Sequence, residues 1–277
     1  MKFGSLFSGI GGLDLGLERA GMTCVWQSEI EPYACRVLAK HWPHIPNLGD
    51  ICGIDWTRVD RVDLVVGGYP CQPFSYAGVR RGEDDPRHLW PMFADCLRVV
   101  RPRYALMENV TGHLSLGFGS VLADLAALGY DAQWDCVPAA AVGAPHLRDR
   151  LFVIATRRSV VANSNDEGQG QRRSQPQRWQ EPWHGRQVMA DTGHERLEEL
   201  RVSACGDESR QPASGPNETK RSEGRRWPPE PELGRVAHGI PRRMDRLRGL
   251  GNAVVPQVAE HLGNIIMGME QNNDIEK

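Results

Sequence analysis

The sequence lacks long apolar runs and paired cysteines, and each absence excludes a class of protein. No stretch of the 277 residues approaches the ~18 consecutive apolar residues that a membrane-spanning helix needs. The seven cysteines include no Cys-x-x-Cys pair, so neither a disulfide framework nor a zinc site is indicated. The first residues are too broken by serine and glycine to form a signal peptide. We therefore expect a cytoplasmic protein without a metal site.

Lysine is also scarce, because only four of the 33 basic residues are lysine and the rest are arginine. Arginine forms bidentate pairs with phosphate and guanine, which favours a nucleic-acid partner. The net charge of −2 counts weakly against one, since dedicated nucleic-acid binders are more often strongly basic. A GC-rich genome explains the arginine bias equally well. Composition alone therefore leaves the partner open.

Short apolar runs alternate with helical periodicity over residues 1–156, which is typical of a mainly parallel sheet with crossover helices. Residues 157–237 are rich in Gln, Arg, Ser, Gly and Pro, and we expect a variable, partly disordered region there. Residues 238–277 should pack back on the first domain through one last helix. Strands are predicted at 2–8, 25–28, 64–68, 104–108 and 151–155. The apolar face of the last helix is predicted to contain Val258, Leu262, Ile265 and Met269.

A glycine cluster, Gly9-Ile10-Gly11-Gly12, follows the first predicted strand and opens a helix. In such a turn, backbone amides and the helix amino end can approach a polar ligand closely, although the full dinucleotide spacing is missing. Glu29 comes just after the second predicted strand, where an acidic side chain can meet a ribose diol. Asp50 and Ile51 follow a third turn and could contact an adenine edge. Together these features indicate a nucleoside cofactor, whereas the glycine turn alone could be purely structural.

Polar residues also follow two other predicted strands. Cys71 lies in a Pro-Cys-Gln-Pro loop after one strand, and Glu108 ends another. The carboxyl ends of parallel strands share one edge of a sheet, so a thiol and a carboxylate converge there, which suits nucleophilic attack assisted by proton donation. Arg148 and Arg150 stand at alternate positions before the last strand and should point the same way. Taken singly, a packing cysteine and a surface arginine pair remain alternatives.

This set of motifs closely resembles the cytosine-5 DNA methyltransferases in order and spacing. The resemblance covers residues 1–156 and about 238–268, and it implies a Rossmann-like α/β sheet of the S-adenosylmethionine-dependent methyltransferase type with a small, irregular target-recognition region at 157–237. The matching motifs are Phe7-Ser8-Gly9-x-Gly11-Gly12, Glu29, Asp50-Ile51, Pro70-Cys71-Gln72-x-Phe74-Ser75, Glu108-Asn109-Val110, Arg148-x-Arg150 and Gly251-Asn252-Ala253-Val254-Val255-Pro256.

The resemblance implies methyl transfer from S-adenosylmethionine to carbon 5 of a cytosine that is flipped out of a specific duplex DNA sequence. It makes Cys71 the nucleophile that attacks carbon 6. Glu108 would bind ring nitrogen 3 and the amino group and so stabilise the developing charge. Arg150 would hold the cytosine carbonyl, and Arg148 would support the nucleophile loop. The resemblance also implies a role in restriction–modification or anti-restriction. The protein would be a monomer in the cytoplasm of a bacterium, encoded by the bacterium or by a phage.

Further residues are assigned to ligands by the same resemblance. Those implied for the cofactor are Phe7, Gly9, Gly11, Glu29, Ile30, Asp50, Ile51, Pro70, Leu89, Asn252 and Val254. Those expected at the DNA are Gln72, Ser75, Arg242, Arg243 and Arg246. Two features depart from the family pattern. His146 stands where the family has glutamine, and the basic run 242–248 occupies the place of the usual Arg-x-Leu-(Thr or Ser) motif.

Three other functions are open at this stage. A cytosine-5 methyltransferase acting on RNA is one, although the Cys-Phe-Thr signature of that branch is missing from the sequence. A catalytically inactive DNA-binding remnant is the second, suggested by His146. A nicotinamide oxidoreductase would explain the glycine cluster and Glu29 but would leave Cys71 and Glu108 without a role. Transfer of label from S-adenosylmethionine to duplex DNA, to transfer RNA or to neither separates most of these possibilities.

Overall fold

The computed structural model describes residues 1–70, 89–158, 177–178 and 242–275, and within them seven strands form one mixed sheet in the order β2-β1-β3-β4-β6-β5-β7. Neighbouring strands from β2 to β4 are parallel, whereas β6 is antiparallel to both β4 and β5. The predicted Rossmann-like α/β fold is confirmed. The strands are β1 (Lys2–Leu6), β2 (Thr23–Ser28), β3 (Leu64–Gly67), β4 (Tyr104–Asn109), β5 (Tyr130–Pro138), β6 (Asp149–Arg157) and β7 (Gln177–Arg178).

The antiparallel β5–β6 pair differs from the mainly parallel arrangement expected, and β5 was not predicted. Its buried residues alternate with exposed ones such as Asp131 and Gln133, so it lacks the continuous apolar run used to find strands that are buried on both faces. The connection from β5 to β6 is a 3-10 turn, Ala139–Val142, and a few loop residues. A connection this short allows antiparallel pairing but cannot form the crossover that parallel strands need.

Six helices occur in the described ranges, and none of them is long and apolar enough to span a lipid bilayer. α2 was not predicted, since it buries only Ala34 and Leu38 and is polar on average, with Arg36, Lys40 and His41 among its ten residues. Local signals nevertheless define its start, because Glu31 caps the helix and Pro32 occupies the first turn. The helices are α1 (Gly12–Arg19), α2 (Pro32–His41), α3 (Trp90–Val100), α4 (Phe118–Ala127), α5 (Arg243–Asn252) and α6 (Pro256–Ile275).

Two hydrophobic cores lie on opposite faces of the sheet. Alternate residues of β3 serve both of them: Val65 belongs to the core that contains α3 and α4, and Leu64 and Val66 belong to the core that contains α1 and α6. The central parallel strands are therefore buried on both faces, which explains their unbroken apolar runs. The chain passes from β1 to β2 on one side and then returns to β3 on the other, so the crevice beyond β1 is a topological switch point.

α6 packs along α1 with very close backbone contact. A Cβ atom at Gly16 would overlap the carbonyl oxygen of Pro256 and the Cβ of Ala259, and one at Gly263 would come within 2.7 Å of the Cβ of Ala20. The buried face of α6 contains Val258, Ala259, Leu262 and Ile266. Ile265 and Met269, which were predicted for this face, are only partly buried, because the contact follows the i, i+4 row through Ile266.

The predicted boundaries of a variable region at 157–237 stay a prediction, since nearly all of that region lies outside the described residues.

Replacing Gly16 by alanine should destabilise the protein, since the neighbouring atoms are backbone atoms of Pro256 and Glu260 and the Cβ of Ala259, none of which can rotate aside. We expect Gly16→Ala to lower the free energy of unfolding by about 1–3 kcal/mol, the usual cost of overpacking. The matched control is Gly268→Ala in α6, where a Cβ would have no neighbour within 4 Å. This variant should be neutral or more stable by about 0.4–1 kcal/mol. Urea denaturation measures both, and equal effects would contradict the close α1–α6 contact.

Candidate active site

The turn after β1 has an unusual backbone. Phe7, Gly9 and Gly11 adopt positive φ angles of 52°, 56° and 83°. Such angles are normal for glycine but costly for phenylalanine, and strain of this kind is often found at functional sites. Gly11 caps α1, so the turn directs backbone amides and the helix amino end toward the switch-point crevice. The geometry suits a polar ligand.

The Glu29 carboxylate connects this turn to the end of β2. One oxygen accepts a hydrogen bond from the Gly9 amide at 2.7 Å, and the other accepts from the amides of Ile30 and Glu31 at 2.9 and 2.8 Å. A carboxylate offers about four acceptor positions, so one is left for a ligand hydroxyl. Ile30 beside it is 64% exposed, which is high for a large apolar residue. Glu29 therefore shapes the crevice and can also contact what binds in it.

Asn47 is a residue of this site that sequence reasoning missed. Its side-chain oxygen accepts from the amides of Glu29 and Gly49 at 3.0 and 3.1 Å. Its side-chain nitrogen donates to the Glu29 carbonyl at 3.1 Å and to the Cys35 sulfur at 3.3 Å. Asn47 thus joins Glu29 to the segment that continues into Asp50. No local pattern marks this role, because Asn47 and Glu29 are 18 residues apart.

Asp50 and Ile51 form a turn at the same side of the sheet. The Asp50 carboxylate caps the 3-10 turn Ile51–Gly53 by accepting from the Cys52 amide at 3.0 Å. Asp50 is exposed, whereas Ile51 is 5% exposed and belongs to the core that contains α3 and α4. Ile51 therefore has a packing role in addition to any contact with a cofactor.

The C-terminal segment completes the crevice. A Cβ atom at Gly12 would overlap the Val254 backbone, and one at Gly249 would come within 3.1 Å of the Ile10 side chain. Val254 is buried, and the neighbouring Asn252 is exposed. Of the two predicted cofactor residues near the end of the chain, Val254 lies against the glycine turn, and Asn252 precedes it by two residues. The other two, Pro70 and Leu89, stand after β3 and directly before α3.

Glu108 and Arg150 form a partly buried ion pair at the end of β4. Arg150 Nε lies 2.9 Å from Glu108 Oε1, and the side chains are 25% and 12% exposed. Gly68 faces this carboxylate so closely that a Cβ there would be 2.6 Å from Glu108 Oε2. Burial raises the pKa of Glu108 to about 7, while Arg150 and Arg148 oppose the increase. Near neutral pH this carboxyl group can therefore both donate and accept a proton.

Arg148 contacts a different partner from Arg150. Its guanidinium Nη2 donates to the carbonyls of Gly251 and Ala253 at 2.7 and 2.5 Å, and its Nε is buried without a hydrogen-bond partner among the described residues. Burial and the nearby Arg150 lower the pKa of Arg148. Its backbone φ of 42° places it before the regular strand, so strand alternation does not determine where the side chain points. Arg148 holds the C-terminal segment; its expected contact with the nucleophile loop stays a prediction.

The predicted DNA-contacting residues divide into two groups. Gln72 and Ser75, together with the predicted nucleophile Cys71, lie outside the described residues. Arg242 precedes α5, and Arg243 and Arg246 lie on it; all three are exposed. α5 buries none of its residues, so its arginines are accessible to a polyanion.

The stability of the protein should depend on pH through Glu108. Folding raises the pKa of this group from 4.5 to about 7, so the folded state binds the proton more tightly. The resulting stabilisation is complete below pH 4.5 and is lost as the pH rises through 7. Glutamine cannot ionise, so the Glu108→Gln variant does not lose stability in this way as the pH rises. The free energy of unfolding of the variant, relative to wild type, should therefore increase up to about pH 7 and then stay constant.

Urea denaturation over this pH range measures the difference. Asp55→Asn is the control, because Thr57 lowers the pKa of Asp55 and the group is ionised in both states at pH 5 and above. Asp14 also has a raised pKa, about 6, but it is present in wild type and variant alike and cancels. A pH-independent difference for Glu108→Gln would contradict the raised pKa.

Sequence comparison finds relatives among bacterial and phage methyltransferases. The chain is 39% identical over 170 residues to the Type II methyltransferase M.HgiCII of Herpetosiphon aurantiacus, covering 57% of this chain and 38% of that protein. It is 39% identical over 162 residues to the Type II methyltransferase M.NgoMIV of Neisseria gonorrhoeae, covering 56% and 52%. It is 32% identical over 209 residues to the orphan methyltransferase M.Rho11sI of Bacillus phage rho11s, covering 72% and 39%. The chain thus spans about half, or less, of the length of each relative.

The family model of the C-5 cytosine-specific DNA methylases matches residues 1–223, which is most of the chain. The match includes the glycine turn, Glu29, the Glu108–Arg150 pair and the segment that contains Cys71. The resemblance inferred from the motifs is confirmed. The chain belongs to the C-5 cytosine-specific DNA methylase family.

Proposed function

We propose that this chain is a DNA (cytosine-5-)-methyltransferase that transfers a methyl group from S-adenosylmethionine to carbon 5 of a cytosine in duplex DNA. The observation that carries the proposal is the Glu108–Arg150 pair, which lies against Gly68, three residues before Cys71. A proton donor near the end of β4 and a cysteine that follows the adjacent strand β3 in the sequence match the needs of the reaction. Family membership and the methyltransferase relatives support the same activity.

The residues of the crevice fit S-adenosylmethionine. The remaining acceptor position of Glu29 suits a ribose hydroxyl, and the exposed Ile30 offers an apolar surface for one face of the adenine. The turn is open at Gly9, where the nearest neighbour of an added Cβ would be the Phe7 carbonyl oxygen at 4.0 Å, and this space would take the methionine end. Asp50 and Ile51 would contact the adenine edge, and Pro70, Leu89 and Asn252 would close the pocket. When bound, S-adenosylmethionine supplies the methyl group.

In the proposed reaction Cys71 attacks carbon 6 of the cytosine as a thiolate. A sulfur–carbon bond forms, and the electron pair of the 5,6 double bond becomes available at carbon 5 for bonding to the methyl carbon. Protonated Glu108 donates to ring nitrogen 3, which neutralises charge as sulfur adds, and Arg150 holds Glu108 and the cytosine carbonyl. The carbon-5 proton then leaves, its electron pair restores the double bond, the sulfur is expelled as the Cys71 thiolate, and the proton on ring nitrogen 3 returns to Glu108. The base that removes this proton is not assigned.

The DNA surface in this proposal includes the exposed arginines of α5 and the loop that contains Gln72 and Ser75. The target base must leave the duplex stack to reach Cys71. We assign target recognition to residues 157–237. A restriction–modification or anti-restriction setting, as a monomer in a bacterial cytoplasm, agrees with the bacterial and phage relatives.

Cys71→Ser tests the reaction directly. Serine is a far weaker nucleophile near neutral pH, because a thiol with a pKa of ~8.5 is already a few per cent thiolate. We expect this variant to lose transfer of label from tritiated S-adenosylmethionine to duplex DNA while it still binds DNA and cofactor. On duplex DNA that contains 5-fluorocytosine, wild type should form a denaturation-resistant adduct and Cys71→Ser should not, since fluorine cannot leave as a proton does.

The result separates the possible functions. A packing role for Cys71 would leave methylation largely intact in the serine variant. Label transfer to transfer RNA in place of duplex DNA would show an RNA methyltransferase, and no transfer and no adduct in wild type would show an inactive remnant. Methylation by wild type without an adduct would contradict covalent catalysis.

Glu29→Ala should weaken cofactor binding. Loss of a hydrogen bond to a charged group should cost ~1.5–3 kcal/mol of binding free energy, as measured by titration calorimetry with S-adenosylhomocysteine. The matched control is Glu31→Ala, whose carboxylate accepts only the helix-cap bond from Ala34 at 2.8 Å among its described side-chain contacts. The control should lose about 1 kcal/mol of stability but keep its cofactor affinity. Equal affinities in the two variants would remove Glu29 from the site.

A further inference from the structure

A buried hydrogen bond connects Tyr69 to His113 near the proposed catalytic groups. Tyr69 is 3% exposed and His113 is fully buried, and the Tyr69 hydroxyl lies 2.8 Å from His113 Nε2. The other ring nitrogen, Nδ1, lies 2.8 Å from the Leu116 carbonyl oxygen. Neither residue has a role in the proposed reaction. The pair was not found from the sequence, since its members are 44 residues apart.

The direction of both hydrogen bonds follows from their chemistry. A carbonyl oxygen can only accept, so His113 Nδ1 carries the proton and donates it to Leu116. In the neutral ring, Nε2 is then the acceptor, and the Tyr69 hydroxyl donates to it. The chain Tyr69–His113–Leu116 therefore has one consistent arrangement. Burial makes each bond costly to lose without a replacement.

The pair lies where backbone pairing between two strands ends. The β3–β4 ladder pairs residues up to Gly67 and Met107. Beyond it, Tyr69 leads directly to Pro70 and Cys71, and the β4 side continues through Glu108 into the 3-10 turn Thr111–Ser115 that contains His113. The Tyr69–His113 bond joins the two chain segments after their main-chain bonds have stopped.

Other contacts support the same junction. Asn109 Nδ2 donates to the Tyr69 carbonyl at 3.4 Å, directly after Glu108. The Tyr69 ring packs against Trp90 and Phe93, at centroid distances of 5.4 and 6.1 Å, and His113 packs edge-on to Phe118 at 5.8 Å. Tyr69 is thus held by polar contacts from the β4 side and by aromatic contacts from α3.

We infer that the Tyr69–His113 hydrogen bond is a positioning device, which sets where the chain leaves Pro70 toward the nucleophile relative to the Glu108 carboxyl group. This inference rests on the proposed function. Tyr69 and His113 are positioning residues and do not touch the base. A nucleophile and a proton donor that come from different strands must keep one relative position, and a shift of about 1 Å can cost ~100-fold in rate.

Tyr69→Phe removes the hydroxyl and keeps the ring. We expect the single-turnover rate of methyl transfer to duplex DNA, at saturating DNA and S-adenosylmethionine, to fall by ~10-fold or more. Cofactor affinity should fall less than the rate, because the glycine turn and Glu29 follow β1 and β2, whereas the pair acts on the segment that follows β3. The rate of adduct formation on 5-fluorocytosine DNA should fall in parallel, since sulfur addition is the step that depends on position.

Tyr130→Phe is the matched control. Its hydroxyl is also buried and donates to a single acceptor, the Pro102 carbonyl, at 2.7 Å. Tyr130 begins β5, at the opposite end of the sheet from Glu108. A merely structural role for Tyr69 predicts that the two variants lose similar stability and similar activity. The inference predicts comparable losses in unfolding midpoint but a fall in rate for Tyr69→Phe alone.

His113→Phe provides a second route to the same answer if Tyr69→Phe folds poorly. It removes the bond from the other partner and keeps a ring against Phe118. His113→Phe also removes the bond to the Leu116 carbonyl, so the rate should fall at least as far as in Tyr69→Phe. The double variant should fall no further than His113→Phe alone, because both changes delete the same Tyr69–His113 bond. Additive effects, or rates within twofold of wild type in the folded variants, would overturn the inference. A wild-type chain that neither methylates DNA nor forms the adduct would instead contradict the proposed function, and the inference with it.

Discussion

The absence of side chains at Gly12 and Gly16 is the constraint on which the site depends. Gly12 lies against the Val254 backbone and Gly16 against Pro256 and Ala259, so the first helix and the end of the chain meet at the closest approach that backbones allow. Gly12 ends the glycine turn and Gly16 lies one helical turn further along α1, and both contact the C-terminal segment. A larger residue at either position would push that segment away from α1. Core packing therefore requires glycine at both positions, and at Gly12 the same contact keeps the end of the glycine turn beside Val254.

A second constraint is electrostatic and acts at the neighbouring strand ends. Glu108 is buried enough for its pKa to approach 7, and Arg150 limits that increase by pairing with the ionised form. Without Arg150 the buried Glu108 carboxyl group would stay protonated to a higher pH. If the same group were exposed to water, it would already be ionised well below neutral pH. The balance allows the group to exchange a proton near pH 7. Gly68 makes it possible, since any side chain there would occupy the position of the carboxylate.

Much of the fold could be predicted because the central strands are buried on both faces. β3 and the first four residues of β4 are continuous apolar runs, β1 is buried after Lys2, and all three strands were located to within two residues. β5 and α2 were missed because each buries one face only, and its apolar residues are diluted by polar ones. Site residues that belong to local motifs, such as Glu29 and Glu108, were identified from the sequence. Asn47 and the Tyr69–His113 pair were not, since their partners are distant along the chain and a lone Asn, Tyr or His indicates nothing by itself.

Arg148 connects the Glu108–Arg150 pair to the C-terminal segment that lies on the glycine turn. Its backbone leads into β6 and so to Arg150 and Glu108, while its guanidinium binds the carbonyls of Gly251 and Ala253. Those carbonyls flank Asn252 and precede Val254, which lies on Gly12 at the glycine turn. A continuous set of contacts therefore runs from the proposed base-binding side to the proposed cofactor side. The proposed methyl transfer requires donor and acceptor carbons at a fixed separation, and Arg148, which is half-buried and whose Nε has no hydrogen-bond partner among the described residues, lies on the contacts that would fix that separation.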